Sequence, residues 1–322
     1  MKQSSIKRFI RSNLSEVGVF ALLVVLFIST ALASNKFLTY QNISSICSTL
    51  AYYGVIVCGA AVVMIMGGLD LSQMATMAMG VVIGGQILLS GIPGAPFYAM
   101  IVQVAVGAVF GLINGLIVSY LNIPPMITTI GTQYIFRAIA FIVVGSKSFW
   151  INDSVYKIIG YSSFLGLPLV LWVMLMVFCA MWGVMRFTQF GQNIYAIGSN
   201  EQAARLAGIN VTKSKILAYT LSGTLAGLAG ILWMAQLSAS RPSAGQGQEM
   251  IVLAAVVIGG VSLNGGKGKI PGVLFGIGLL MLLANSMTLL HLNTYLQELF
   301  QGIILIIAVI AGTKRGKQQL DI

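Results

Sequence analysis

Ten apolar stretches run through this chain, each separated from the next by polar residues, glycine or proline. They fall at about Val17–Ala33, Ile46–Met66, Met74–Ser90, Phe97–Tyr120, Met126–Val144, Leu165–Met185, Ile216–Leu237, Met250–Val261, Pro271–Leu290 and Leu299–Gly312. About 20 apolar residues in a helix span a bilayer. A helix also satisfies its own backbone where no water can. The fold expected is all-α: one polytopic membrane domain over residues 1–322, with about ten transmembrane helices. The stretch from Met250 is short for a span, which predicts a helix that is broken or continued by irregular backbone. Only 8% of the residues are charged and 57% are hydrophobic. A soluble domain carries about 25% charged residues, so these charges are too few to coat a water-facing surface.

The charges that do occur set an orientation. With the N-terminus inside, the inner segments hold Lys2, Lys7, Arg8, Arg11, Arg186, Arg205, Lys213, Lys215, Lys267, Lys269, Lys314, Arg315 and Lys317, and the outer ones only Lys36, Lys147, Lys157 and Arg241. Basic loops stay on the cytoplasmic side, so both termini are expected there. An even number of spans follows, and eight or twelve would serve as well as ten. The net charge of +11 is spread over membrane-flanking loops rather than one face, which argues against nucleic acid. The basic start followed by an apolar run looks like a signal peptide, but the many later spans favour a retained first helix. Cys47, Cys58 and Cys179 lack metal-ligand spacing and read as buried small hydrophobes.

The longest polar interruption is Arg186–Lys215, RFTQFGQNIYAIGSNEQAARLAGINVTKSK, a loop expected in the cytoplasm. It contains a short helix with its own punctuation. Ser199 is the predicted N-cap, with Gln202 completing a capping box. Glu201 and Arg205 are spaced to pair. Ala203, Leu206 and Ala207 form a small apolar stripe, and Gly208 supplies a left-handed stop. Such a helix reads either as an ordinary interfacial loop helix or as a docking knob for a soluble partner.

Several polar residues fall within apolar surroundings. Asp70 lies in GGLDLS, after Gly67 and Gly68 and before Ser72. Paired glycines weaken a helix, and a carboxylate in lipid needs water or a partner. Two readings stand: a re-entrant turn lining or gating a solute path, or a cytoplasmic turn in which Asp70 caps the next helix. Arg137, deep in an apolar run, must pair, snorkel or face water, and Asp70 is one possible partner. Asn114, Thr128, Thr129, Thr132, Gln133, Gln86, Gln103 and Asn285 suit either an uncharged, hydroxyl-rich solute or plain helix–helix hydrogen bonding. Glu249 ends the outer loop SASRPSAGQGQE, where it meets a basic partner or caps the following helix. His291, the single histidine, stands alone and reads as interfacial rather than catalytic. An internal echo relates Met66-GGLDLS to Ile258-GGVSLN, and Gly80 and Gly84 to Gly272 and Gly276. Such repeats with interrupted helices mark pathways in transporters.

No catalytic or metal-binding constellation is visible, and no bound cofactor is expected. NGGKGK at Asn264–Lys269 has neither the spacing of a phosphate-binding loop nor its hydroxyl. Of the seven acids, only Asp70 is placed deep, whereas an ion-coupled carrier ordinarily buries several. That points to power supplied by a separate ATPase acting on the knob.

Three blocks carry a family likeness: GGLDLS at Gly67–Ser72, Gly191–Lys215, and Ser240–Gly272. In these the chain resembles the permease subunits of bacterial ABC importers of the ribose/xylose/galactose type, in similar order over most of its length. The resemblance implies a non-enzymatic permease of the bacterial inner membrane, dimeric with a second copy or a homologous permease. It implies a cytoplasmic ABC ATPase using ATP-Mg, a periplasmic solute-binding protein, and import of a monosaccharide or similar small polar solute by alternating access. By position, Gly198, Ser199, Asn200, Glu201, Ala204, Arg205, Leu206 and Gly208 are the coupling segment. Gly67, Gly68, Asp70, Ser72, Asn114 and Arg137 are pathway or gating candidates, and Arg241 and Glu249 face the binding protein. The chain departs from the family at Met74, where glycine is common, which predicts an altered turn. The rival readings are a same-family importer of a non-sugar or sugar-derived signal molecule, and an ion-coupled secondary transporter.

Overall fold

A computed structural model gives the architecture. It describes residues 14–293 and, beyond them, 295–297, 299–300, 302–303 and 306, with side chains from Gly18 on. The apolar stretches fold as α1 (Leu14–Ala33), α2 (Tyr40–Ile65), α3 (Gln73–Leu89), α4 (Ala95–Tyr120), α5 (Pro125–Val144), α7 (Leu169–Phe187), α10 (Val211–Leu237), α11 (Glu249–Ile258) and α12 (Ile270–Leu289). Among the described residues, six of these are long and apolar enough to cross a membrane, and three shorter apolar helices accompany them. The chain is a helical, multi-pass membrane protein. Most of the tenth predicted span and both termini lie outside the described residues.

Burial sorts the helices. The apolar window of α2 is 78% buried and that of α10 is 67%, against 28–33% for α4, α5 and α7. The most buried helices, α2 and α10, form the centre; α10 is the least apolar of the six, as expected where lipid takes the apolar faces and small and polar residues turn inwards. The outer helices turn residues such as Phe97, Ile101, Tyr134, Ile142 and Met176 outwards. Helices α4 and α10 cross closely because their seam is glycine. A Cβ at Gly107 would run into the Gly223 carbonyl, and one at Gly111 into that of Tyr219. Small residues four apart are how membrane helices bring their backbones together.

Elements outside the apolar runs include several that the sequence reading missed. The strands β1 (Phe149–Trp150) and β4 (Ala239–Ser240) pair antiparallel, Phe149 opposite Ser240. The helix α6 (Ser154–Tyr161) is capped by Asp153, whose carboxylate accepts from Val155 N at 2.8 Å. A tight hairpin joins β2 (Ser163–Phe164) to β3 (Leu167–Pro168). Its loop residues Leu165 and Gly166 both have positive φ, as a two-residue hairpin turn of the favoured twist requires. The polar loop contains two helices, α8 (Gln189–Ser199) and α9 (Glu201–Leu206), where one was predicted.

The internal echo has a structural counterpart. At the end of α2, Gly67 takes φ 91° and donates to the Met64 carbonyl, while Gly68 donates to that of Val63. At the end of α11, Gly260 takes φ 88° and donates to Val257, while Val261 donates to Val256. Both are the same glycine-terminated helix stop. The sequence frame sets Gly67 against Gly259, whereas the backbone equates it with Gly260. As expected, α11 is short and continues as irregular chain to Lys269.

Candidate functional site

The break between α2 and α3 holds the site. Once α2 stops at Gly67, the backbone of Leu69–Ser72 has lost its helical partners and must find others. The Leu69 carbonyl accepts from the Tyr219 hydroxyl at 3.2 Å and from the Thr129 hydroxyl at 3.3 Å. Asp70 Oδ1 accepts from the backbone N and the hydroxyl of Ser72, at 3.1 and 2.7 Å. Its Oδ2 accepts from the Ser222 hydroxyl at 2.7 Å. Ser222 in turn accepts from Gln73 Nε2, and Asn114 Nδ2 donates to the Ser72 hydroxyl at 2.7 Å. Five helices thus converge on one broken turn.

Ser222 locates Asp70 along α10. It lies eleven residues beyond Val211 in α10, about 16 Å along a helix rising 1.5 Å per residue. Asp70, half-buried, therefore packs against the flank of α10 beyond its first turns. Its carboxylate reaches the backbone of Ser72 rather than that of α3, whose N-terminus has no side-chain cap. Met74 sits in the first turn of α3, fully buried, so it needs no glycine conformation there. Its sulfur fills the space beside Gly245.

Arg137 does not meet Asp70. Its Nη1 donates to the carbonyls of Pro242 and Ala244, at 2.8 and 2.7 Å, and its Nη2 lies 3.7 Å from Glu249 Oε1. The sequence offered Asp70 because both are deep charges. The fold instead dips the loop after β4 into the bundle, so that Ala244 is fully buried and Glu249 is 9% exposed. Glu249, read as an outer-surface residue, is thus internal and opens α11. Tyr53 supports it from α2 by donating to Gln248 Oε1 at 2.6 Å. Asp70, Leu71, Gln73, Met74, Glu249 and Val252 line a common cleft, closed here to the point of excluding a water molecule. Arg241 stays exposed, with its guanidinium 5.3 Å from the Trp233 ring centre.

Of the scattered polar groups, Gln103 donates to the Tyr156 hydroxyl at 2.7 Å, and Asn285 and Asn42 exchange amide hydrogen bonds. These join helix to helix. Cys58 is buried as predicted, but Cys179 is exposed on α7, where a thiol can face lipid as a small hydrophobe.

The polar loop carries the second feature. The cap of α9 is Asn200, whose side chain accepts from Ala203 N at 3.0 Å, and not Ser199. Because α8 runs through Ser199, that hydroxyl turns back to the Tyr195 carbonyl at 2.8 Å. The Glu201–Arg205 pair forms at 3.3 Å, and Lys215 adds a second, shorter pair to Glu201 at 2.8 Å. The hydrogen bond from Lys215, then that from Arg205, hold the Glu201 carboxyl below the ordinary glutamate range. Gly208, at φ 84°, donates to the Arg205 carbonyl, and Ile209 donates to that of Ala204, which completes the predicted stop. Ala204 is buried, whereas Ala203, Leu206 and Ala207 face outwards, Leu206 at 90% exposure.

Loop and break are in contact. A Cβ at Gly198 would strike the Ile65 carbonyl at the end of α2. The same carbonyl accepts from Gly266 N at 2.7 Å, and Tyr195 donates to the Gly268 carbonyl at 2.8 Å. The NGGKGK segment is thus wedged between α8 and the end of α2. The roles of Gln73, Tyr219 and Ser222 left no sequence signal, because a lone hydroxyl or amide in an apolar run looks the same wherever it points.

Comparison with known proteins identifies the family. The profile described as "Branched-chain amino acid transport system / permease component" matches residues 42–309. The chain is 34% identical to the ribose import permease protein RbsC of Escherichia coli (strain K12), over 94% of each chain. It is 34% identical to the protein of that name from Bacillus subtilis (strain 168), over the same shares. To the L-arabinose transport system permease protein AraH of Escherichia coli (strain K12) it is 33% identical, over 94% of this chain and 92% of that one. No solved structure matches. The profile covers most of the chain and the likeness to these permeases runs nearly end to end, so the chain belongs to this family of transport-system permease components.

Proposed function

We propose that this chain is the membrane-spanning permease subunit of an ATP-binding-cassette importer, moving a monosaccharide or similar small polar solute into the cytoplasm by alternating access. It is a transport subunit and not an enzyme; ATP-Mg is bound and hydrolysed by a separate cytoplasmic ATPase that docks on α9. A periplasmic solute-binding protein delivers the solute near Arg241, and a second permease, identical or homologous, completes the assembly. The protein resides in the bacterial inner membrane with about ten spans, its termini and residues 186–215 on the cytoplasmic side.

The observation that carries this reading is the exposed apolar face of α9. A six-residue helix capped at both ends and tied to α10 by an ion pair, with Leu206 left in the open, is shaped to receive another protein. It is held within reach of the break at Asp70. The ribose and arabinose permeases it matches support a pentose as the first solute to try. The test is uptake of labelled ribose and arabinose into proteoliposomes holding the permease, its ATPase and its solute-binding protein. Uptake that requires ATP and all three proteins is expected. Uptake by the permease alone, driven by an ion gradient, would overturn the proposal.

A further inference from the structure

We infer that Gln73 and Glu249 form an acceptor pair that takes hydroxyl groups of the passing solute, which makes them specificity residues of the pathway. The inference rests on the importer reading above and gives it a contact site. Both residues line the closed cleft beside Asp70, and both are buried, at 2% and 9% exposure. Gln73 uses its amide nitrogen on Ser222, which leaves its Oε1 without a hydrogen-bond partner. Glu249 Oε1 has no hydrogen-bond partner either: it forms an ion pair with Arg137 Nη2 at 3.7 Å, and that nitrogen also lacks a hydrogen bond. Asp70 is already supplied by Ser72 and Ser222.

A buried acceptor without a donor is costly, and two on one cleft need a reason. The residues lining the cleft offer no unmatched donor, and Arg137 Nη2 beside it is itself unmatched. A polyhydroxylated solute brings several O–H groups and no net charge, and a carboxylate accepts them readily. An anionic solute would face Asp70 and Glu249 together and be repelled. Arg137 balances the charge of Glu249: its Nη1 is held by two carbonyls of the dipping loop, and its Nη2 stays 3.7 Å from Oε1, so a solute hydroxyl can donate to Oε1 and accept from Nη2. Separation of the first turns of α3 and α11 would open the acceptors to the solute.

The test uses the complete assembly of permease, ATPase and solute-binding protein in proteoliposomes. Uptake of ribose, arabinose and their monodeoxy analogues is measured at saturating loaded binding protein, for wild type, Glu249→Gln and Gln73→Met. The preference of wild type for a parent sugar over its deoxy analogue is divided by the same preference in each variant. That ratio cancels the contribution of the binding protein. The expected result is a preference reduced about tenfold for at least one hydroxyl, the worth of one charge-assisted hydrogen bond. Should Glu249→Gln fail to fold, Gln73→Met carries the test. Equal slowing of every sugar, with all preferences unchanged, would give these residues a structural role only and overturn the inference. Wild type that moves none of these sugars would remove the pentose assignment and, with it, the inference for these hydroxyls, whereas uptake without ATP would remove the importer reading itself.

Discussion

Asp70 accepts a hydrogen bond of 2.7 Å from Ser222, a residue 152 positions further along the chain. The contact closes the break between α2 and α3 against the middle of α10, the helix that starts just after the exposed knob. A movement of α10 therefore acts directly on the broken turn.

Replacing Ser222 by alanine strands two groups at once, Asp70 Oδ2 and Gln73 Nε2. The cost of a stranded buried polar group is about 1–3 kcal/mol, so Ser222→Ala should lower the unfolding temperature of the purified protein measurably. Asp70→Ala should reduce transport further, because Ser72 and Ser222 both lose their acceptor. Wild-type uptake by Asp70→Ala would remove this residue from the mechanism.

Leu206 is 90% exposed, and surface changes of this kind ordinarily shift stability by no more than about 0.5 kcal/mol. Leu206→Asp should leave membrane insertion and folding intact while abolishing ATPase binding and uptake. Arg205→Glu should do the same while placing like charges at Glu201 and position 205, a helical repulsion of about 0.5 kcal/mol. Pull-down of the ATPase and uptake assays check both. Normal binding and transport in the two variants would exclude α9 as the docking element.

Glu201 gives the knob a definite pH response. Lys215 and Arg205 depress its carboxyl below the ordinary value of 4.5. A depressed acid stabilises the folded state above its unfolded value, and that contribution fades as pH falls through the folded one. Hydrogen exchange at residues 200–208 should therefore show no loss of protection from this pair between pH 8 and pH 6, and a loss only in acid below 4.5. In Lys215→Met the loss should begin at higher pH. An unchanged acid profile in that variant would mean the 2.8 Å pair does not hold the helix.

The apolar helices were legible because long apolar runs can be little else in a chain so poor in charge, although six of those described are long and apolar enough to cross a membrane. The stop at Gly208 was legible because its cue is local. Ser199 was misread as a cap for the same locality: nothing in its neighbourhood announces that α8 runs up to it. Arg137 was seen to need a partner, but Asp70 and Glu249 differ only in which loop dips into the bundle, and that is decided by tertiary packing. Ser222 and Gln73 carry no periodic or compositional mark.

Gly198 ties the knob to the pathway and supplies the most stringent check. Any side chain there meets the Ile65 carbonyl and the Gly266 nitrogen, both backbone and neither able to swing aside. That carbonyl already accepts from Gly266 at 2.7 Å, so Gly198→Ala should push α8 away from the end of α2 and break this bond. Because α9 keeps its own cap and ion pairs, ATPase binding should survive while uptake falls at least tenfold and ATP hydrolysis no longer responds to loaded binding protein. Gly208→Ala strains only the knob's own stop, at φ 84°, and should weaken ATPase binding instead. If both variants lost binding and transport alike, knob and break would be one unit rather than two joined through Gly198.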